Sequence, residues 1–198
     1  MKKFLTACLF LSMCLGCSAT AFAAESQYPA DEHSGEIFIT VNSAEELAAF
    51  EAELKENNAR AQKLWEQAVQ ESYLPENQMT DSTPIVPYAE TVYENSVTRL
   101  KGNGSPYTIT FKAFYTKSKN NYGVPIISSV KDITAHVPDK DHKLSVMSKD
   151  YKRIDSLRTL AAHYNCRISV YSQSDGAFFD FSGEYYVEFY VNGSAKIY

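Results

Sequence analysis

The chain is first defined by what it lacks. It carries no G-x-S-x-G, Walker or Rossmann pattern, and its four histidines, His33, His136, His142 and His163, show neither HExxH nor His-x-His spacing. The hydrolase, nucleotide-binding and zinc chemistries that such motifs announce are therefore not signalled. Asp139, Asp141 and His142 sit in one turn, but a calcium site needs six or more oxygens, so that turn reads as solvated. No metal and no cofactor is expected.

Cysteine is scarce too. Of the four, Cys8, Cys14 and Cys17 fall in the first 17 residues, leaving Cys166 alone in the body of the chain. Without a disulfide, a chain of 198 residues with 44% apolar content must hold itself together through its core. Positive charge is also in short supply, with a formal net charge of −5 that becomes −7 without Lys2 and Lys3, 17 basic groups against 24 acidic ones. Nucleic acid is not the partner that such a balance suggests. Residues 24–83 hold 3 basic and 13 acidic side chains, and residues 84–198 hold 14 and 11, so the acidity is concentrated in the first part.

What is present begins with an export signal. Met1-Lys2-Lys3 is a positive start, Phe4 to Gly16 is apolar but too short to span a membrane, and Ala21-Phe22-Ala23 has the A-x-A cleavage form. Residues 1–23 are thus expected to be a bacterial-type signal peptide, with no transmembrane anchor in the mature chain. The alternative is a lipoprotein anchored through Cys17, which follows Leu15-Gly16.

Residues 24–42 read as a leader with a short strand from Glu36 to Val41. Ser43 and Glu46 have capping-box spacing and open a helix over 43–73, with an apolar stripe through Leu47, Phe50, Leu54, Ala61, Leu64 and Ala68. Asn57-Asn58 interrupts the stripe and is the expected bend. Pro75, Pro84 and Pro87 mark 74–88 as a linker.

From 89 to 198 the pattern predicts about seven antiparallel strands: a mainly β (α+β) fold, an immunoglobulin-like sandwich or small barrel with an N-terminal amphipathic helix. The Cys, Trp and Cys pattern of immunoglobulin domains is missing. A bulge near Lys131-Asp132 is needed to bring Ile126 and Val130 onto one face with Ile133 and Ala135. The two longest strands, from Arg158 onward, are expected to join through a loop Gln173 to Gly176. That loop sets Val170 opposite Phe179, Cys166 opposite Gly183 and Tyr164 opposite Tyr185.

Candidate chemistry is thin. Cys166 and His163 lie near each other, yet strand parity points them to opposite faces, so Cys166 reads as a core residue. Aromatic residues are the enriched class, 13% with fourteen Tyr. Tyr171, Phe178, Tyr186 and Tyr190 stand on the outer parity of the long strands, where flat rings suit sugars or peptides unless the helix covers them. The expected role is an exported, non-catalytic binding or envelope-associated module whose partner is a cell-wall glycan or surface protein. Two alternatives stand beside it: a hydrolase using Asp180, Glu184 and Glu188, and a surface protein that self-assembles through the helix.

Overall fold

The computed structural model describes residues 38–78, 91–100, 108–137 and 144–198. The signal segment with Cys17, the leader, most of the Pro-rich linker, the turn near Asn103 and the Asp139–Asp141 turn lie outside the described residues. In chain order the elements are β1 (Phe38–Val41), α1 (Ala44–Ser72), a 3-10 turn (Pro75–Asn77), β2 (Tyr93–Leu100), β3 (Thr108–Lys119) and β4 (Pro125–His136). β5 (Ser145–Ile154), β6 (Thr159–Ser172), β7 (Ala177–Tyr190) and β8 (Ala195–Ile197) complete the chain.

The fold is mainly β; among the described residues there is one curled sheet of five strands, a second sheet of three and a single α-helix. β2 to β8 are the seven strands that the alternation predicts, and every pairing among them is antiparallel. β1 adds an eighth and departs from the expectation, because it joins β6 in parallel, Phe38 beside Ser169 through Val41 beside Ser172. It extends the edge of β6 beyond the point where β5 stops pairing, at Arg167. The β6–β7 register matches the expected one at Val170/Phe179, Cys166/Gly183 and Tyr164/Tyr185.

Two bulges shape β4 where one was expected. Phe114 pairs with Asp132 and Tyr115 with Val130, so Lys131 is the extra residue; Thr116 pairs with Ser129 and Lys117 with Ile127, so Ser128 is another. The second bulge corrects the facing of the first part of the strand. Ile127, not Ile126, joins Ile133 in the main core.

That core lies between the sheets. Phe111, Ala113 and Tyr115 of β3 meet Leu160, Ala162, Tyr164 and Cys166 of β6, with Val187 and Phe189 of β7. Edges of the two sheets also meet. Lys149 Nζ on β5 donates to the Ile133 carbonyl of β4 at 2.5 Å, and Arg153 donates to the Ser128 carbonyl at 2.8 Å, so cationic side chains bridge the two edges without a strand ladder. β8 lies beside β2 at the opposite edges.

α1 starts at Ser43, whose Oγ accepts the Glu46 amide at 3.2 Å. The reciprocal bond shifts by one residue from the capping-box expectation: Glu46 Oε2 accepts from the Asn42 amide at 2.7 Å. The helix runs unbroken through Asn57-Asn58, about 43 Å at roughly 1.5 Å per residue. Among the described residues no helix is long and apolar enough to cross a membrane.

The predicted bend is instead a crossing point. Before it, Phe50 and Leu54 pack on Ile168, Val170 and Phe181, which share the parity of the main core. After it, Ala61, Ala68 and the partly buried Trp65 pack on Ala161 and Tyr186, which have the opposite parity. The helix therefore serves both faces of the β6–β7 ribbon, passing beside the edge of β7. There Asn58 Nδ2 donates to the Ser182 carbonyl at 2.7 Å and its Oδ1 accepts the Glu184 amide at 2.8 Å. β8 pairs with β7 only from Val187 to Phe189, so a side-chain amide satisfies the backbone groups that β8 leaves at this edge.

Candidate functional site

The aromatic residues singled out by parity do not form one surface. Tyr171 and Phe178 face each other at one end of the ribbon, ring centroids 4.9 Å apart, and both are partly buried. Tyr186 and Tyr190 lie near the other end, Tyr190 about 40 Å along β7 from Phe178 at ~3.3 Å per residue. Tyr186 is only 2% exposed, covered by the second half of α1.

Its phenol belongs to a polar cluster that the alternation did not reveal. Tyr186 donates to Glu188 Oε1 at 2.9 Å, while Tyr190 and Tyr198 donate to Oε2 at 2.5 and 2.8 Å. Three phenols thus share one carboxylate. Burial, followed by the Glu188 charge beside it, pushes the Tyr186 phenol well above its ordinary range, so it stays protonated as a donor.

The other carboxylates of that face are occupied as well. Asp180 accepts from Arg167 and from Ser169 Oγ. Glu184 faces His163 Nε2 at 3.3 Å, and the His163 ring stacks on Trp65 with centroids 5.5 Å apart. Asp180, Glu184 and Glu188 stand four residues apart in turn, about 13 Å at ~3.3 Å per residue, beyond the ~5–10 Å over which paired carboxylates cleave glycosides. Cys166 is fully buried, and burial pushes its thiol up to about 12, which removes the thiolate needed for nucleophilic work. Among the described residues no three His, Cys, Asp or Glu side chains converge as metal ligands.

Of the apolar stripe of α1, through which the self-assembly alternative would act, Phe50, Leu54, Ala61 and Ala68 are buried against β6 and β7.

The features suited to recognition gather instead at the β5–β6 turn. Asp155, Ser156 and Leu157 have φ of 52°, 53° and 66°, three consecutive left-handed residues and none of them glycine. Each such residue costs roughly 1–2 kcal/mol, with Asp the most tolerant. Several partners hold the turn in place. The Asp155 amide donates to Glu71 Oε1 at 2.9 Å and the Leu157 amide to Asn77 Oδ1 at 3.3 Å, both from the end of α1 and the 3-10 turn behind it. The Leu157 carbonyl accepts from Ile127 of β4 and the Arg158 carbonyl from Val191, both at 2.8 Å. The beginning of the expected linker is thus part of the fold, with Asn77 buried.

One cleft is lined in part by this turn, and another by the end of β5 that leads into it together with Asn77, which holds it. One, of about 260 Å³, is lined by Val124, Pro125, Asp155, Arg158, Tyr190 and Asn192, among others. Its charges cancel, since Arg158 is paired with Asp155 at 3.0 Å. The other, of about 300 Å³, is lined by Tyr73, Asn77, Gln78, Tyr151, Lys152 and Arg153 with Ser72. Two of its rings are open to solvent, Tyr73 at 69% and Tyr151 at 40% exposure. Sequence reasoning missed this second cleft because Tyr73 lies at the helix end and Tyr151 on the polar edge strand, both read as structural boundaries.

Comparison with family models, with curated proteins and with solved structures gives no match to the chain.

Proposed function

We propose that the chain is an exported, non-catalytic binding module that holds an envelope or extracellular glycan at the β5–β6 turn. The observation that carries this reading is the 300 Å³ cleft, in which two solvent-open tyrosines stand beside side-chain amides and two cations. Rigid rings offer contact area at small entropic cost, and amides and charges supply direction. The pinned left-handed turn next to the cleft supports the same reading, because strain persists where surrounding structure over-determines it, often at ligand sites. The wide spacing of Asp180, Glu184 and Glu188 weighs against the hydrolase alternative. Export rests on Met1 to Ala23, with lipidation at Cys17 as the other form of envelope attachment.

For the architecture we favour an open barrel over an immunoglobulin-like sandwich. Support comes from the side-chain bridges between β4 and β5 and from the neighbouring edges of β2 and β8, which together bring the two sheets toward closure.

The test is to incubate the purified protein with isolated cell walls and a panel of insoluble glycans, scoring both sedimentation of the protein and release of soluble sugar. The reading expects retention without product. Soluble product would establish a hydrolase, and absence of retention on every wall and glycan would overturn the binding reading.

A further inference from the structure

Independently of the glycan site, we infer that the tyrosine cluster around Glu188 is a redox site, in which Tyr190 gives an electron to one-electron oxidants while Glu188 takes its phenolic proton. Removing an electron from a phenol turns it into a strong acid, so the loss is easy where a positioned base already holds that proton. The Tyr190 hydroxyl donates to Glu188 Oε2 at 2.5 Å, the short end of the range for a hydroxyl on a carboxylate. The other partners of Glu188 among the described residues are also phenols, Tyr186 at 2.9 Å on Oε1 and Tyr198 at 2.8 Å on Oε2. Lys196 stands opposite Glu188 in the β7–β8 ladder, but its ammonium lies over the Tyr198 ring, 3.9 Å from the centroid.

The three phenols differ in what they can do. Tyr186 is 2% exposed beneath α1, out of reach of an oxidant in solution. Tyr198 has the Lys196 ammonium against its ring, and a positive charge there opposes loss of an electron. Tyr190 has the shortest bond to the carboxylate, is partly exposed and lines the smaller cleft, where a small oxidant can approach. Its oxygen also lies 3.3 Å from the Tyr198 oxygen, so a Tyr190 oxygen that has lost its proton can accept from Tyr198. The Tyr186 and Tyr198 rings are 5.6 Å apart, and Trp65 packs against the same cluster, which gives oxidation begun on a neighbouring ring a short way to Tyr190.

The step balances within the pair and its oxidant. An outer-sphere acceptor, a metal complex or an organic radical, takes one electron from the Tyr190 ring and is reduced by one. The phenolic O–H bond breaks, and the proton forms a new O–H bond at Glu188 Oε2. A neutral phenoxyl radical is left beside a neutral carboxylic acid.

The test mixes the purified protein with hexachloroiridate(IV) in a stopped-flow instrument at several phosphate concentrations. Freeze-quenched samples are read by EPR, and the radical is located by spin trapping and peptide mapping. The inference expects a neutral tyrosyl radical at Tyr190, formed at a rate that does not depend on phosphate, because the proton acceptor is already in place. Glu188→Gln keeps an oxygen that accepts the phenol's hydrogen bond but cannot hold its proton, so oxidation should slow at least about tenfold and become dependent on phosphate. Tyr190→Phe should remove the dominant radical. Tyr198→Phe should keep it, as should Tyr122→Phe, which alters the most exposed ring, 91% accessible, far from any such carboxylate contact.

A radical trapped on Tyr122 or another tyrosine instead of Tyr190 would overturn the assignment. A wild-type rate that rises with phosphate, or an unchanged rate in Glu188→Gln, would overturn the role of Glu188 as proton acceptor. The radical's position and the phosphate dependence are both read on the wild-type protein, so they decide the matter even where a variant fails to fold.

Discussion

Asn58 is a position where one small side chain connects two elements, and its removal has a calculable cost. In Asn58→Ala the Ser182 carbonyl and the Glu184 amide each lose their partner at the edge of β7. A buried polar group left unpaired costs about 1–3 kcal/mol, and because this edge is only partly buried the low end applies, about 1 kcal/mol each. Alanine returns about 0.5 kcal/mol through its better helix propensity. The expected net loss is about 1.5 kcal/mol, which lowers the thermal midpoint by about 3–6 °C for a domain of this size. Asn58→Asp is nearly the same size but sets a carboxylate oxygen against the Ser182 carbonyl, so it should lose at least as much. Urea unfolding followed by fluorescence reads the change directly, because the single tryptophan, Trp65, lies two turns further along α1 and stacks on His163. A loss below about 0.5 kcal/mol for Asn58→Ala, or wild-type stability for Asn58→Asp, would refute the idea that this amide joins helix and sheet.

Gly183 pairs with Cys166, and a Cβ there would meet Ile168 Cδ1 at 2.5 Å, so Gly183→Ala should cost about 1–2 kcal/mol in urea unfolding. Adding Ile168→Val, which removes that methyl, should recover part of the loss, and strict additivity in the double mutant would show that the contact is not the cause. Cys166 should resist thiol reagents at pH 8 in the native protein and react only as fast as the chain unfolds; rapid labelling of the folded protein would contradict its burial. Ser156→Gly should relieve left-handed strain and raise stability by up to about 1 kcal/mol after the greater freedom of glycine in the unfolded chain is counted, and a lowered thermal midpoint would argue against the strained turn.

Much of the sheet was legible in the residues themselves. Alternation from Arg158 to Tyr190 located β6 and β7, and the loop Gln173 to Gly176, with Gly176 at φ 63°, sets their register. The change of parity between Val130 and Ile133 revealed the bulge at Lys131, because only an extra residue keeps both inside. The bulge at Ser128 left no such trace, since Ile126 and Ile127 are adjacent and either can face inward. The pairing of Cys166 with Gly183 was legible from the loop length, but not the reason for the glycine, since the space a Cβ would take is filled by Ile168 from two residues along β6.

The rest depends on contacts remote in sequence. Asn58 disturbs an apolar stripe and so resembles a bend, and only the strand edge 124 residues away explains it. The parallel addition of β1 is a pairing with a strand near the other end of the chain, which strand periodicity cannot encode. The left-handed turn has no glycine to announce it; Glu71, Asn77, Ile127 and Val191 impose it from elsewhere. The candidate cleft was hidden for the same reason, because helix end, 3-10 turn and edge strand contribute its walls and no single stretch contains it.

The most direct measurement is amide hydrogen exchange of the purified protein with and without the wall or glycan that retains it. The account predicts new protection confined to residues 72–78 and 150–158, the walls of the cleft and the turn beside it. Protection at Tyr171 and Phe178 instead, or none at residues 72–78 and 150–158 while the protein is retained, would contradict it.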